Sequence, residues 1–247
     1  MENSNTLSAT KLVPDEWLSR ILGCHVYRLD IARPEAYCGD LELDWPPDDR
    51  WFIYTKAPTN GLELINALED AGFRLIESNL QLEKSMNPTP EPIDPNRVRF
   101  AVPEDEAAVR SVSEHSFVYS RFHLDPSISN TLANKVKAAW AANYFAGQRG
   151  DAMVLGEDQG KVAGFLQLIF QGDVLVIDLI AVNPARRRMG LARDMISFAR
   201  CNLPGFRLFR VGTQISNVPS IRLYEKLGFR IVKSQYVLHR HFFSDGF

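Results

Sequence analysis

The segment that most constrains the fold is an apolar run followed closely by a proline, three arginines and a glycine. Residues 174–182 are apolar except at Asp178 and rich in β-branched side chains, a composition typical of a buried strand. Pro184 ends this strand, because proline lacks the N–H donor that a strand ladder requires. The chain then reaches Gly190 and a helix predicted over about 191–200. This order of strand, tight loop and helix predicts an α/β fold.

The loop after the strand has the features of an anion-binding site. Gly190 and Ala192 carry little or no side chain, so successive main-chain N–H groups can point at one anion. The helix that follows adds the positive end of its dipole. Arg187 and Arg188 would then pair with phosphate oxygens. An ordinary strand-to-helix turn with solvated arginines is the alternative interpretation of these residues alone.

A second segment repeats the order of strand, loop and helix. The strand predicted over 207–213 leads into a short helix that begins near Asn217 and closes at Gly228. Asparagine is a common helix N-cap and glycine a common residue after a helix end, so both helix bounds follow from the sequence.

Together the two segments resemble the acetyl-CoA site of the GCN5-related N-acetyltransferase (GNAT) superfamily. The superfamily's Q/R-x-x-G-x-G/A signature falls on Arg187, Gly190 and Ala192. Its later N-x-x-A-x-x-L-Y-E-x-x-G-F pattern matches this chain, with Ser220 replacing the alanine, at Asn217, Leu223, Tyr224, Glu225, Gly228 and Phe229. The resemblance implies an acyltransferase with the GNAT fold, an α/β (α+β) architecture whose mixed central sheet is flanked by helices. It also implies acetyl-CoA as co-substrate, without a metal.

The resemblance assigns roles to individual residues. Tyr224 stands where the superfamily places a tyrosine hydroxyl near the thioester sulfur, which predicts the general acid for the departing thiolate. Asn217 would bond to the cofactor, or it would only cap its helix. The cofactor-binding residues predicted in this way are Ile180, Ala181, Val182, Arg187, Arg188, Met189, Gly190, Leu191, Ala192 and Asn217.

Asp178 is the candidate general base. It has the same parity along the strand as Ile180 and Val182, so we expect these three side chains on one side of the sheet. Its carboxylate could take a proton through water. It could equally be a structural acceptor for buried polar groups.

Substrate choice is expected to depend on the loop between two predicted helices near residue 120. Arg121, Phe122 and His123 combine a cation, an aromatic ring and an imidazole, which can stack on a ring and bind an anion. A solvated connector with one buried phenylalanine is the alternative.

A narrower resemblance touches most of the chain. The half-domain before residue 86, the 120–122 loop and the ending at 234–240 look like dTDP-fucosamine (dTDP-4-amino-4,6-dideoxygalactose) N-acetyltransferases of surface-polysaccharide synthesis. The function expected is therefore transfer of an acetyl group to the primary amine of a small substrate. The first candidate for that substrate is a nucleotide-linked amino sugar. The alternatives are acetylation of a protein N-terminus, a lysine or a free metabolite, and a non-catalytic acyl-CoA sensor.

A proline-rich stretch divides the chain. Residues 86–96 cannot continue a helix or a central strand, which predicts a linker between a domain at 1–85 and a catalytic domain at 97–247. Residues 67–78 align without gaps on residues 223–234. The first domain is therefore predicted to be a smaller, partial, non-catalytic α/β GNAT-like unit. The alternative is that the two segments share only a common supersecondary motif, in which a helix is followed by a glycine and an aromatic residue at the start of the next strand.

Composition limits the classes of protein to consider. A formal charge of −2 argues against nucleic acid as the main partner. The three cysteines show neither paired nor metal-ligand spacing, and no apolar leader or membrane span is evident. We expect a cytoplasmic protein whose partner is a small-molecule amine, with no nucleic acid and no membrane. His239 and His241 share a strand face without an evident third ligand, so no metal is predicted. The final strand, which carries these histidines, could extend a sheet across a homodimer.

Overall fold

The computed structural model describes residues 10–39, 41, 43–47, 49–85, 94 and 96–243. The strands are β1 (Thr10–Pro14), β2 (His25–Ile31), β3 (Arg50–Pro58), β4 (Arg74–Ser85), β5 (Val98–Phe100), β6 (Ala152–Asp158), β7 (Lys161–Gln171), β8 (Val174–Val182), β9 (Leu208–Gln214) and β10 (Arg230–Phe243). The helices are α1 (Glu16–Leu22), α2 (Leu62–Asp70), α3 (Glu106–Ser116), α4 (Arg121–Leu124), α5 (Asn130–Ala142), α6 (Leu191–Asn202) and α7 (Val218–Lys226).

The chain divides into two compact units. Unit 1 contains the residues up to 79 together with those from 234, and unit 2 contains residues 80–233. The predicted linker at 86–96 lies outside the described residues except at Asp94 and Asn96. The division into contiguous domains at 85 and 97 therefore stays a prediction.

Unit 1 is built on strands in the order β1-β2-β3-β10. Strand β2 runs parallel to β3, while β1 and β10 are antiparallel to their neighbours. Helix α2 packs Leu64 and Leu68 against a core that includes Ile53 and Phe73. Burial of these apolar side chains is the main stabilising contribution in a unit of this size.

Unit 2 contains the larger mixed sheet. Its strands lie in the order β4-β9-β8-β7-β6-β5, antiparallel from β5 to β8 and parallel between β8 and β9. One face packs on α6 and α7 through a core that includes Met195, Phe209 and Phe229. The other face packs on α3 and α5 through Val112, Ala141 and their neighbours. The predicted mixed sheet with helices on both faces is confirmed.

Helix α6 lies close to the sheet because glycine lines the contact. A Cβ atom on Gly164 of β7 would lie 2.9 Å from the carbonyl oxygen of Ala181 and 3.2 Å from Met195. The approach to the Ala181 carbonyl oxygen is closer than side chains tolerate, so this position favours glycine. The small residue leaves room for the Met195 side chain of α6 against β7.

The segment β3-α2-β4 repeats the local geometry of β9-α7-β10. The two helices have the same length, and each is followed by a glycine with positive φ, 84° at Gly72 and 83° at Gly228. Phe73 N–H donates to the Leu68 carbonyl at 2.9 Å, and Phe229 N–H donates to the Tyr224 carbonyl at 2.9 Å. The two aligned segments thus make the same hydrogen bond after their helices. The first segment has Leu68 where the second has Tyr224.

Among the described residues, no helix combines the length and the apolar character that crossing a bilayer requires.

Candidate active site

The predicted anion-binding loop joins β8 to α6. Asn183 shapes its start, since the Asn183 side chain accepts a hydrogen bond from Ala185 N–H at 3.0 Å. Arg188 has a φ of 67° and Gly190 a φ of 85°. A left-handed φ is costly for arginine, and strained residues of this kind cluster at functional sites. Helix α6 starts directly at Leu191, so its first free N–H groups and its positive dipole end adjoin the loop.

The three consecutive arginines of this loop have different surroundings. Arg186 pairs with Asp158 at 3.1 Å. Arg187 donates to the Val182 carbonyl at 3.2 Å and to the Ser116 carbonyl at 2.7 Å, so its guanidinium links the end of β8 to the end of α3.

Arg188 is the arginine available to an anion. Its side chain is exposed, and it has no hydrogen bond or ion pair within the described part of the chain. The sequence predicted that both Arg187 and Arg188 would pair with phosphate. The structure instead uses Arg187 to satisfy carbonyl groups that the strand and the helix leave without donors.

A gap opens between β8 and β9. Their parallel pairing extends from Val174 with Leu208 to Ile177 with Val211, and the registered pairs of these described strands end there. Strand β8 continues to Val182 while still paired with β7. Main-chain groups of residues 178–182 that would have faced β9 therefore lie outside the registered pairs with β9, and of these the Val182 carbonyl accepts from Arg187. The predicted residues Ile180, Ala181 and Val182 line this edge.

Tyr224 lies on α7 beside the core of unit 2. Its side chain is 2% exposed, and its ring centroid is 5.5 Å from that of Phe229. Burial raises the pKa of the phenol well above its usual range, so the group keeps its proton at neutral pH. Tyr224 therefore packs in the core. Its predicted role as an acid requires a phenol that stays protonated until the thiolate leaves.

Asn217 caps α7. Its side-chain oxygen accepts a hydrogen bond from Ser220 N–H at 3.4 Å. This is the capping role that the sequence left open. A bond from Asn217 to the cofactor stays a prediction.

Asp178 is surrounded by donors. Its carboxylate accepts from Arg149 Nε at 2.8 Å and Nη2 at 2.6 Å, from Trp140 Nε1 at 2.9 Å and from Gln167 Nε2 at 3.1 Å. Four nitrogen donors from three residues therefore occupy both carboxylate oxygens. The structure favours the structural interpretation of Asp178 over the catalytic one.

The expected parity of β8 is wrong at Asp178. The pairing with β7 shifts between Gln167 and Leu168, so Asp178 forms a bulge. Ile177 packs on the α6 side of the sheet, whereas Leu179 packs on the α3 and α5 side. Ile180 returns to the α6 side. Because a bulge adds a residue to one strand, Asp178 and Ile180 face opposite sides despite their even spacing.

The predicted substrate-binding loop forms helix α4. Phe122 is 1% exposed and belongs to the interior, which corrects its assignment as a substrate contact. His123 lies between the Ser120 hydroxyl at 2.7 Å and Asn134 Oδ1 at 2.9 Å. Burial lowers the pKa of His123, which favours the neutral ring. Arg121, whose guanidinium stacks on Phe122 at 4.6 Å, is partly exposed, as is His123, and Arg121 is the charged contact that the loop offers to a substrate.

Sequence reasoning missed the donors around Asp178. Gln167 is a polar residue within an otherwise apolar strand, and that break in the pattern was a usable signal. Arg149 lies in a loop, where no local pattern indicates its partner. Arg97 was also missed: it donates to the Met189 carbonyl at 3.2 Å and lies 3.5 Å from Asp194, which anchors the start of α6.

The part of the chain that holds the gap and the loop matches a known protein family. The sequence model of the Acetyltransferase (GNAT) family matches residues 118–229, the range that holds the gap, the loop and Tyr224. Just under half of the chain therefore matches this family, over the residues that carry the site. The family uses acetyl-CoA as co-substrate, which agrees with the anion-binding features of the loop.

Individual relatives share the fold or part of the sequence. The chain is 28% identical over 196 residues to the spore coat polysaccharide biosynthesis protein SpsD of Bacillus subtilis (strain 168), covering 78% of this chain and 67% of that protein. A GCN5-related N-acetyltransferase from Sphaerobacter thermophilus superposes with a TM-score of 0.54 at 15% identity, over 79% of this chain and 61% of its own. A GCN5-related N-acetyltransferase from Kribbella flavida superposes with a TM-score of 0.52 at 14% identity, over 76% of this chain and 68% of its own. The chain thus spans about two thirds of the length of these relatives or less.

Proposed function

We propose that this protein transfers an acetyl group from acetyl-CoA to the primary amine of a small substrate, with a nucleotide-linked amino sugar as the first candidate. The observation that supports this most is the gap between β8 and β9, which adjoins the arginine-bearing loop and the start of α6. A linear cofactor with a diphosphate at one end and an amide-rich arm suits such a site.

The residues of this chain divide the binding between them. N–H groups at the start of α6 and the Arg188 guanidinium would bind the diphosphate. Main-chain groups of Ile180, Ala181 and Val182 would pair with the amide-bearing arm as a strand would. When bound, acetyl-CoA supplies an acyl group activated as a thioester.

The chemistry requires little more from the protein. A neutral amine attacks the thioester directly, and a main-chain N–H near Val182 would stabilise negative charge on the carbonyl oxygen. Tyr224, whose phenol is protonated at neutral pH, would give its proton to the departing thiolate. With Asp178 held by four donor groups, the proton of the amine would leave through water.

The amino-sugar proposal has separate support. The curated relative is named for the biosynthesis of a spore coat polysaccharide, and the match covers 78% of this chain. Among the predicted substrate contacts, Arg121 is a partly exposed cation suited to an anionic substrate such as a nucleotide-linked sugar. The cytoplasmic location belongs to the same proposal.

Unit 1 would serve as a partial, non-catalytic copy of the acetyltransferase. Its repeated segment has Leu68 in the position of Tyr224 and Gly61 in the position of Asn217, so it lacks both side chains. A unit without the phenol would not protonate a thiolate in the same way.

The test is turnover of acetyl-CoA with a panel of amines: dTDP-4-amino-4,6-dideoxygalactose, other amino sugars, lysine peptides, N-terminal peptides and polyamines. We expect thiol release and an acetylated product with the nucleotide-linked sugar at the highest kcat/KM. A higher kcat/KM with a peptide would contradict the amino-sugar substrate but would leave the acetyltransferase activity standing. Binding of acetyl-CoA without turnover of any amine would indicate a sensor instead.

A further inference from the structure

We propose that Asp178 is a positioning residue: its carboxylate holds the β8 bulge that sets the direction of residues 180–182 along the gap. The proposal rests on the proposed acetyl transfer, because the gap matters only if the cofactor binds there. It assigns Asp178 a role in place of the base that its position on the strand suggested.

The bulge and the gap occur at the same point of the chain. The last registered pair of β8 with β9 is Ile177 with Val211, and Asp178 is the residue without a counterpart in the pairing with β7. A bulge bends its strand and increases the local twist. Strand β8 therefore diverges from β9 at the residue where its own ladder is interrupted.

Three separate segments fix the Asp178 side chain. Trp140 donates from α5, Arg149 from the loop before β6, and Gln167 from β7, at distances of 2.6–3.1 Å. The Arg149 guanidinium also stacks on the Trp140 ring at 4.8 Å. A residue held in this way cannot rotate to the other face of the sheet without breaking all of these bonds.

The amide of Gln167 shows that this arrangement has a cost. Gln167 is fully buried, its nitrogen donates to Asp178 and to the Arg149 carbonyl, and its own oxygen has no hydrogen-bond partner within the described residues. A buried acceptor without a donor destabilises a fold. The amide orientation is therefore set by the carboxylate rather than by its own hydrogen-bonding needs.

Loss of the carboxylate would release the strand. Without it, β8 could slip by one residue into regular pairing with β7, which would turn Ile180 and Val182 to the other face. The main chain along the gap would shift with them. Displacement of about 1 Å in a positioning element costs roughly a hundredfold in rate.

The experiment compares Asp178→Asn with the parent and with Asp105→Asn. Asp105 is a matched control in the same unit, since it is also buried and bound by two nitrogens of one arginine, Arg99, at 2.7 and 2.8 Å. The readouts are KM for acetyl-CoA, kcat, the pH profile of kcat/KM, thermal unfolding and calorimetric binding of coenzyme A.

We expect Asp178→Asn to raise KM for acetyl-CoA by about tenfold or more, to weaken coenzyme A binding in parallel and to leave the shape of the pH profile unchanged. Asp105→Asn should lower the unfolding temperature without a change in KM. Loss of the acidic limb of the pH profile would overturn the proposal in favour of a base. Unchanged KM and coenzyme A affinity would overturn it in favour of a purely stabilising role.

The two proposals fail in different ways. If the parent protein binds coenzyme A but acetylates no amine, the calorimetric comparison still tests Asp178. If the parent does not bind coenzyme A, the proposed function is wrong, and the Asp178 proposal falls with it.

Discussion

Tyr224 is the residue on which the chemical step depends. Its phenol is buried and protonated, and the rest of its side chain fills the core beside Phe229. Replacement by phenylalanine keeps the ring and removes only the proton donor.

Tyr224→Phe is therefore expected to lower kcat by about a hundredfold, the lower range for a general acid, with little change in KM for acetyl-CoA. Steady-state kinetics with the best amine measure both. Tyr236→Phe is the matched control, a half-buried tyrosine in unit 1 that should leave kcat unchanged. Equal kcat for Tyr224→Phe and parent would show that water, not the phenol, protonates the thiolate.

Arg187 and Arg188 differ although they are neighbours in the same motif. Arg187 is tied to the carbonyls of Val182 and Ser116, whereas Arg188 is exposed in a left-handed conformation. Asparagine tolerates that conformation, so Arg188→Asn removes the charge without adding strain.

Arg188→Asn should weaken acetyl-CoA binding by about tenfold, which corresponds to roughly 1.4 kcal/mol. Calorimetry measures the affinity, and Arg110→Asn on the exposed face of α3 provides a control for general charge. An unchanged dissociation constant for Arg188→Asn would exclude a phosphate contact.

At the scale of elements, the strands and helices follow closely from local signals. The sequence predicts β8 over 174–182, and these bounds are confirmed. The start of α7 after Asn217 and its end before Gly228 follow from capping preferences, which act within a few residues.

The bulge at Asp178 was not predictable in this way. Strand register depends on which residue of β7 lies opposite, and no pattern along β8 alone encodes it. The donors on Asp178 come from residues 11 to 38 positions away, so the choice between base and structural acceptor required the structure. The hydrogen bond from Arg187 to the Ser116 carbonyl joins residues 71 positions apart, so a local sequence pattern does not predict it either.

At the scale of the whole molecule, the compact units do not follow the order of the chain. Unit 2 includes residues 80–85 of β4, and Leu80 and Leu82 lie in its core with Phe209 and Phe229. Proline-rich composition marks a linker, but it does not show on which side a preceding strand packs.

A matched pair of fragments tests this membership. Fragment 97–233 lacks Leu80 and Leu82, each of which contributes about 1.5–3 kcal/mol when fully buried, so it should unfold at lower urea concentration than fragment 80–233. Circular dichroism during urea titration gives both midpoints. Equal midpoints would show that the acetyltransferase domain begins at residue 97, as its sequence suggested.

The central claim is that the start of α6 and the gap beside β8 hold the diphosphate and the arm of coenzyme A. A crystal structure of the protein grown with acetyl-CoA tests it directly. We expect the diphosphate within hydrogen-bond distance of main-chain N–H groups between Arg188 and Ala192, and the arm along residues 180–182. A coenzyme bound elsewhere, or a loop whose N–H groups make no contact with it, would contradict the account.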